Sequence, residues 1–137
     1  MFRKSPYGLL YTAHSGSITP ADGSTYYFGA SVAVPTTTGM TRCVFFRKAG
    51  IIRSVDLTLI VTGTVGTGEA ILAYLRLNHS VDYPIPLVSS TNVVRYFADD
   101  TLVVPVTKDE FFEFKLVFPA WATNPTAIFC EGKIYAD

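Results

Sequence analysis

Few residues in this chain could do covalent or acid–base chemistry. Histidine occurs only at His14 and His79, and cysteine only at Cys43 and Cys130. A serine or thiol nucleophile needs a base within hydrogen-bond reach, usually an imidazole. His14 falls in a polar stretch and His79 in the tight turn Asn78-His79-Ser80, two settings in which a solvated ring is ordinary. None of the four stands at zinc-ligand spacing from another, and there is no CxxC motif. The cysteines therefore read as buried thiols that act as small apolar side chains, with a Cys43–Cys130 bridge as the alternative. Adjacent carboxylates occur at Asp99-Asp100 and Asp109-Glu110, but neighbouring strand residues project to opposite faces, so these pairs read as turn or strand-end features. The glycine-rich run GTVGTGE, residues 63–69, lacks a following Lys-Ser/Thr and opens no helix. It reads as a hairpin loop and not as a phosphate cradle. Catalytic, cofactor and metal residues are accordingly expected to be none.

Binding chemistry is better represented. Trp121, the only tryptophan, lies in the loop Pro119–Pro125, where an aromatic ring plugs a subunit contact or stacks on a sugar ring. Tyr83 and Tyr96 are further stacking platforms, with Asn92 and Asn124 as polar partners. Together these five residues are the candidate ligand or subunit contacts, and they define a carbohydrate-binding module as the alternative function.

The elements that must position these residues are strands. The 137 residues suit one domain. Sixteen Thr, fourteen Val and eight Ile favour the pleated strand over the helix. Charged residues make up only 16% of the chain, against about 25% in an average soluble domain, so some outward strand positions must be apolar or aromatic and suit burial in an oligomer. Eleven basic residues balance eleven acidic ones, leaving no net field to attract nucleic acid or an anionic membrane. No apolar run approaches the ~20 residues of a membrane helix.

Along the chain, residues 1–25 read as an arm or edge strand and residues 26–137 as a single domain. Tyr26–Val34 and Thr41–Phe46 are the first strands expected there. From Ile52 the residues Val55, Leu57, Leu59 and Val61 alternate with Ser54, Asp56 and Thr58, and Ala70–Leu77 alternates likewise, the pair reading as a hairpin across the glycine loop. Val81–Val88, with Pro84 and Pro86, belongs at a sheet edge. Thr101–Val106 leads through the turn Lys108-Asp109-Glu110 to Phe111–Phe118, whose Phe112, Phe114, Leu116 and Phe118 form the strongest core face; Thr126–Tyr135 closes the chain. The sum is an all-β sandwich of about eight antiparallel strands.

Three segments carry a resemblance: RKAGIIRSVDLTLIVTG (47–63), ILAYLRLN (71–78) and VTKDEFFEFKLVFPAWATNPTAI (106–128). A glycine turn into a long alternating strand, a Leu-Arg-Leu-Asn strand end, and paired strands closing on a Thr-Asn-Pro loop resemble the head domains of phage and metagenomic virion proteins. The resemblance implies a jelly-roll β-sandwich akin to the C1q and tumour-necrosis-factor heads, assembled as a homotrimer. It implies a non-enzymatic structural protein of the virion, decorating a capsid or heading an attachment fibre, with other virion proteins, and a host-surface glycan or protein, as partners. No cofactor, nucleic acid or membrane insertion goes with it.

Overall fold

The computed structural model describes residues 8–14, 17–29, 43–63, 69–91 and 93–137. All regular structure in them is β. The first strands are β1 (Gly8–His14), β2 (Thr25–Phe28), β3 (Val44–Phe45) and the long β4 (Gly50–Thr62). Next come β5 (Leu72–Leu77), β6 (Val81–Ile85), β7 (Leu87–Ser90) and β8 (Val94–Asp99). The last are β9 (Val104–Val106), β10 (Phe111–Val117) and β11 (Ala127–Ala136).

These strands form two sheets, and every pairing within them is antiparallel. The front sheet is six-stranded in the order β1-β11-β4-β8-β7, with β9 lying on β4 in line with β8. The back sheet is five-stranded in the order β2-β10-β5-β6, with β3 lying on β10 in line with β2. Period-two alternation supplies the facing surfaces. In the back sheet Phe112, Phe114 and Leu116 of β10 and Ala73, Leu75 and Leu77 of β5 point inward; in the front sheet Leu57, Leu59 and Val61 of β4 and Ile128, Cys130 and Ile134 of β11 meet them. Each large side chain so buried contributes roughly 1.5–3 kcal/mol. Phe114 stacks on Phe28 at 5.2 Å and meets Phe112 edge-on at 5.8 Å. Phe114 packs directly onto the backbone of Gly132 in the facing sheet, where a Cβ would lie 2.5 Å from Phe114 Cε2. No side chain fits there.

The all-β class, the core face of β10 and the alternation in β4 and β5 are as the sequence predicts. Three features differ. The described residues hold eleven strands instead of about eight, because β1, β7 and β8 are short or edge-placed and carry mixed polar residues that mask their period. Tyr26–Val34 is a strand only over β2 within the described residues; residues 30–42, with the rest of that expected strand and the start of Thr41–Phe46, lie outside them. Finally, β4 and β5 are not a hairpin. β4 pairs with β11, β8 and β9, whereas β5 pairs with β10 and β6 in the other sheet. Two consecutive strands with matching apolar faces can pair edge to edge or face each other across the core, and alternation alone does not distinguish these outcomes. Gly63, at φ +97°, begins the crossing between sheets, and residues 64–68 of the glycine loop lie outside the described residues.

Candidate functional site

The structure does not bring the sequence-selected residues together. Trp121 is 6% exposed, its ring 6.0 Å from that of Phe118 and its backbone N–H donating to Asp22 Oδ1 at 3.1 Å. A ring so covered offers no face to a sugar. Asn124 is exposed in the same loop. Tyr83 sits on β6 and packs against the core, whereas Tyr96 sits on β8 in the other sheet, next to Thr58 and Ser89. Asn92 lies outside the described residues. Asp99 Oδ1 accepts from the Thr101 N–H and hydroxyl at 2.9 and 2.6 Å, and Glu110 accepts from Thr107 at 2.9 Å, so both carboxylate pairs serve turns. Cys43 and Cys130 are thiols rather than a disulfide. Burial, and after it the charge of Glu113, pushes the Cys43 thiol above its ordinary pKa, which opposes thiolate nucleophilicity. Among the described residues no cluster of three His, Cys, Asp or Glu could hold a metal ion, and no helix is long and apolar enough to cross a membrane.

His79 is not the solvated turn residue that its sequence setting suggests. Asn78 and His79 adopt φ of 51° and 55°, the left-handed pair of a tight β5–β6 hairpin closed by the Ser80 N–H on Leu77 O at 3.0 Å. That turn reaches over β10, where Asn78 Oδ1 accepts from the Phe111 N–H at 3.2 Å and His79 Nδ1 lies 2.9 Å from Glu113 Oε1. Glu113 is fully buried although it occupies the outward phase of β10. Arg76 joins the group, donating to Asp82 Oδ1 at 2.8 Å and to His79 O at 2.9 Å, with its Nε 4.0 Å from Glu113. Lys115 donates to Asp82 Oδ2 at 2.9 Å and lies over the Tyr74 ring at 5.2 Å. Burial alone would raise the Asp82 pKa, but the hydrogen bonds and charges of Lys115 and Arg76 outweigh it and hold the carboxyl below its ordinary value. The outer wall of the back sheet is thus covered by side chains bound to each other.

The outer wall of the front sheet is built differently. Phe129, Ile60 and Val94 are direct cross-strand neighbours on β11, β4 and β8, and Phe129 and Ile60 are 43% and 44% exposed. The next rows carry Glu131, Thr58 and Tyr96, then Lys133, Asp56 and Ala98, then Tyr135 beside Ser54. Burial pushes the Asp56 carboxyl up, with the Glu131 charge adding to it and Lys133 and a hydrogen bond from Tyr135 opposing. Burial, followed by the Asp56 charge, also raises the Tyr135 hydroxyl. The signal for this face was present in the sequence: Ile60 and Phe129 stand on the outward phase of strands whose other outward residues are mostly polar. Such apolar residues are out of phase with the core and leave adjacent apolar side chains exposed on the outer wall.

Comparison with family models, curated proteins and solved structures finds no match to this chain, so its own geometry is the evidence on its function.

Proposed function

We propose that this chain is a non-enzymatic structural domain of a virion, a capsid decoration or attachment-fibre head, that works as a homotrimer with subunits meeting on the outer wall of the front sheet. The observation that carries the reading is the Phe129–Ile60 pair, two large apolar side chains exposed side by side on the central strands β11 and β4 of the front sheet, with the half-buried Val94 next to them. A closed ring of copies buries such a face on every subunit and leaves none over.

Strand order supports the jelly-roll part of the reading. Taking β1, β2, β4, β5, β6, β8, β10 and β11 as eight principal strands, the pairs β1:β11, β2:β10, β4:β8 and β5:β6 join first to last, second to seventh, third to sixth and fourth to fifth. This is the pairing expected when one long antiparallel ribbon wraps around a core, as in a jelly roll, and it supports that reading. The virion setting rests on the resemblance of the segments around β4, β5 and β10. The carbohydrate-binding alternative built on Trp121 has no observation in its favour, since that ring is covered.

Sedimentation velocity of the full chain at micromolar concentration tests the assembly. A single species of three times the chain mass is expected, and a Phe129→Lys/Ile60→Lys double variant sediments as a folded monomer with an unchanged circular dichroism spectrum. A strict monomer for the parent chain removes the proposal.

A further inference from the structure

Resting on the reading that copies meet on the front wall, we propose that assembly is linked to protons there: the ionised Asp56 carboxylate loosens the trimer, which tightens as the solution becomes acidic. The geometry behind this is a shared recess. A cavity of about 320 Å³ on the wall is lined by Ile60 and Phe129 together with Thr58, Asp56, Glu131 and Lys133. A copy seated over the apolar pair therefore also closes the recess in which the carboxylates stand.

The groups that face Asp56 come from the neighbouring strands. On β11, Lys133 is its direct cross-strand neighbour, and Glu131 and Tyr135 are the diagonal ones, about 7–8 Å away at the backbone. On β8 the direct neighbour is Ala98 and a diagonal one is Tyr96, while Asp99, opposite Val55, is engaged by Thr101. Beyond β11, the register of β1 sets Thr12 opposite Lys133 and His14 opposite Glu131. Among the described residues lining the recess, Lys133 is the one cation, and its ammonium lies 3.6 Å from Glu131. Two carboxylates against one ammonium leave the recess negative. Around a three-fold axis three recesses of the same sign converge, and the recess of one copy has no cation to spare for Asp56 of the next. Burial, with the Glu131 charge adding to it and Lys133 opposing, already holds the Asp56 carboxyl above its ordinary pKa. Losing its remaining water to another copy raises it further. The assembled state then binds more protons than the free subunit. Association accordingly strengthens as pH falls through the assembled value toward that of the free subunit, and levels off below it.

Sedimentation equilibrium of the full chain between about pH 7.5 and about pH 4.5 tests the linkage, with circular dichroism at each pH to follow the fold. The trimer dissociation constant is expected to fall at least roughly tenfold over that range, the equivalent of one proton taken up across one pH unit. Asp56→Asn, neutral throughout, keeps the tight value at every pH. Asp109→Asn in the β9–β10 turn and His14→Asn both retain the parent's slope. Should Asp56→Asn fail to fold, Glu131→Gln reads a shallower slope, because it removes the like charge beside Asp56. A parent chain that stays monomeric at every pH removes the front-wall reading and this inference with it. A trimer whose constant does not move with pH, a slope that survives Asp56→Asn, or a slope lost with His14→Asn overturns the inference alone.

Discussion

On the back wall, charged side chains are spent on one another: Arg76 and Lys115 share Asp82, and His79 and Arg76 close over the buried Glu113. On the front wall the central side chains face outward with less company. Phe129 and Ile60 stand in solvent, and beside them Lys133 lies 3.6 Å from Glu131, a loose contact. In the back sheet the exposed apolar residues stand at strand ends, at Phe45, Leu72 and Val81, whereas the front sheet has them on the edge strand β7, at Leu87 and Val88, and also side by side on its central strands, at Ile60 and Phe129. Both walls grow from the same period-two strands, so the difference is one of residue choice on the outward phase. A self-satisfied wall has little to gain from a partner, whereas an open apolar wall gains about 25 cal/mol for each Å² it loses to one.

If the back wall is a closed network, its keystone should be expensive to remove. Arg76→Met strips Asp82, Glu113 and the His79 carbonyl of a shared donor, and breaking a largely buried ion pair costs about 3 kcal/mol. Urea denaturation reads this as a lower midpoint, with the sedimentation behaviour of the folded fraction unchanged. A cost no larger than that of an ordinary surface change, about 0.5 kcal/mol, breaks the contrast between the walls.

His79→Gly sharpens the same contrast at a smaller size. Glycine takes the left-handed conformation of residue 79 at no steric cost, so the turn survives and only the imidazole is lost. Glu113, fully buried, then lacks its 2.9 Å partner, at a cost of about 1–3 kcal/mol. The expected order of stability is parent, His79→Gly, Arg76→Met. The opposite expectation holds across the molecule: Phe129→Ser changes the stability of the subunit by no more than about 0.5 kcal/mol but weakens self-association measured by sedimentation.

How much of this was legible beforehand differs between the walls. The inward residues of β4, β5 and β10 follow directly from alternation, because every second side chain must leave water, and Phe112, Phe114, Leu116 and Phe118 do so. The front wall was half legible. Ile60 and Phe129 were visible as apolar residues on the wrong phase, yet which strands lay beside them depended on a pairing between β11, β4 and β8 that no local pattern encodes. The back-wall network was hidden altogether. Glu113 sits on the polar phase and reads as solvated, and it is buried only because a turn 34 residues away in sequence folds over it.

The smallest expected effects separate the walls by the sign of their pH dependence. Asp82 has its folded pKa held below the ordinary value by Lys115 and Arg76, against the opposing effect of burial. Its carboxylate therefore adds stability above the unfolded value, about 3.9, and that stability is lost as pH falls through the folded value. Asp56 is the reverse: burial holds its folded pKa above the unfolded one. The folded chain keeps that proton more tightly, so stability declines as pH rises from the unfolded to the folded value and stays reduced beyond it. Asp82→Asn is accordingly less stable than the parent at pH 7, and Asp56→Asn slightly more stable, since the amide still accepts the Tyr135 hydroxyl. The Asp56 difference fades as the pH falls from the raised folded value to about 3.9, and the Asp82 difference fades only below about 3.9, as the pH passes through the lowered folded value. Urea midpoints taken at neutral pH and again near pH 3 test this, and two variants shifting in the same direction at neutral pH would show that the walls do not differ in how they hold charge.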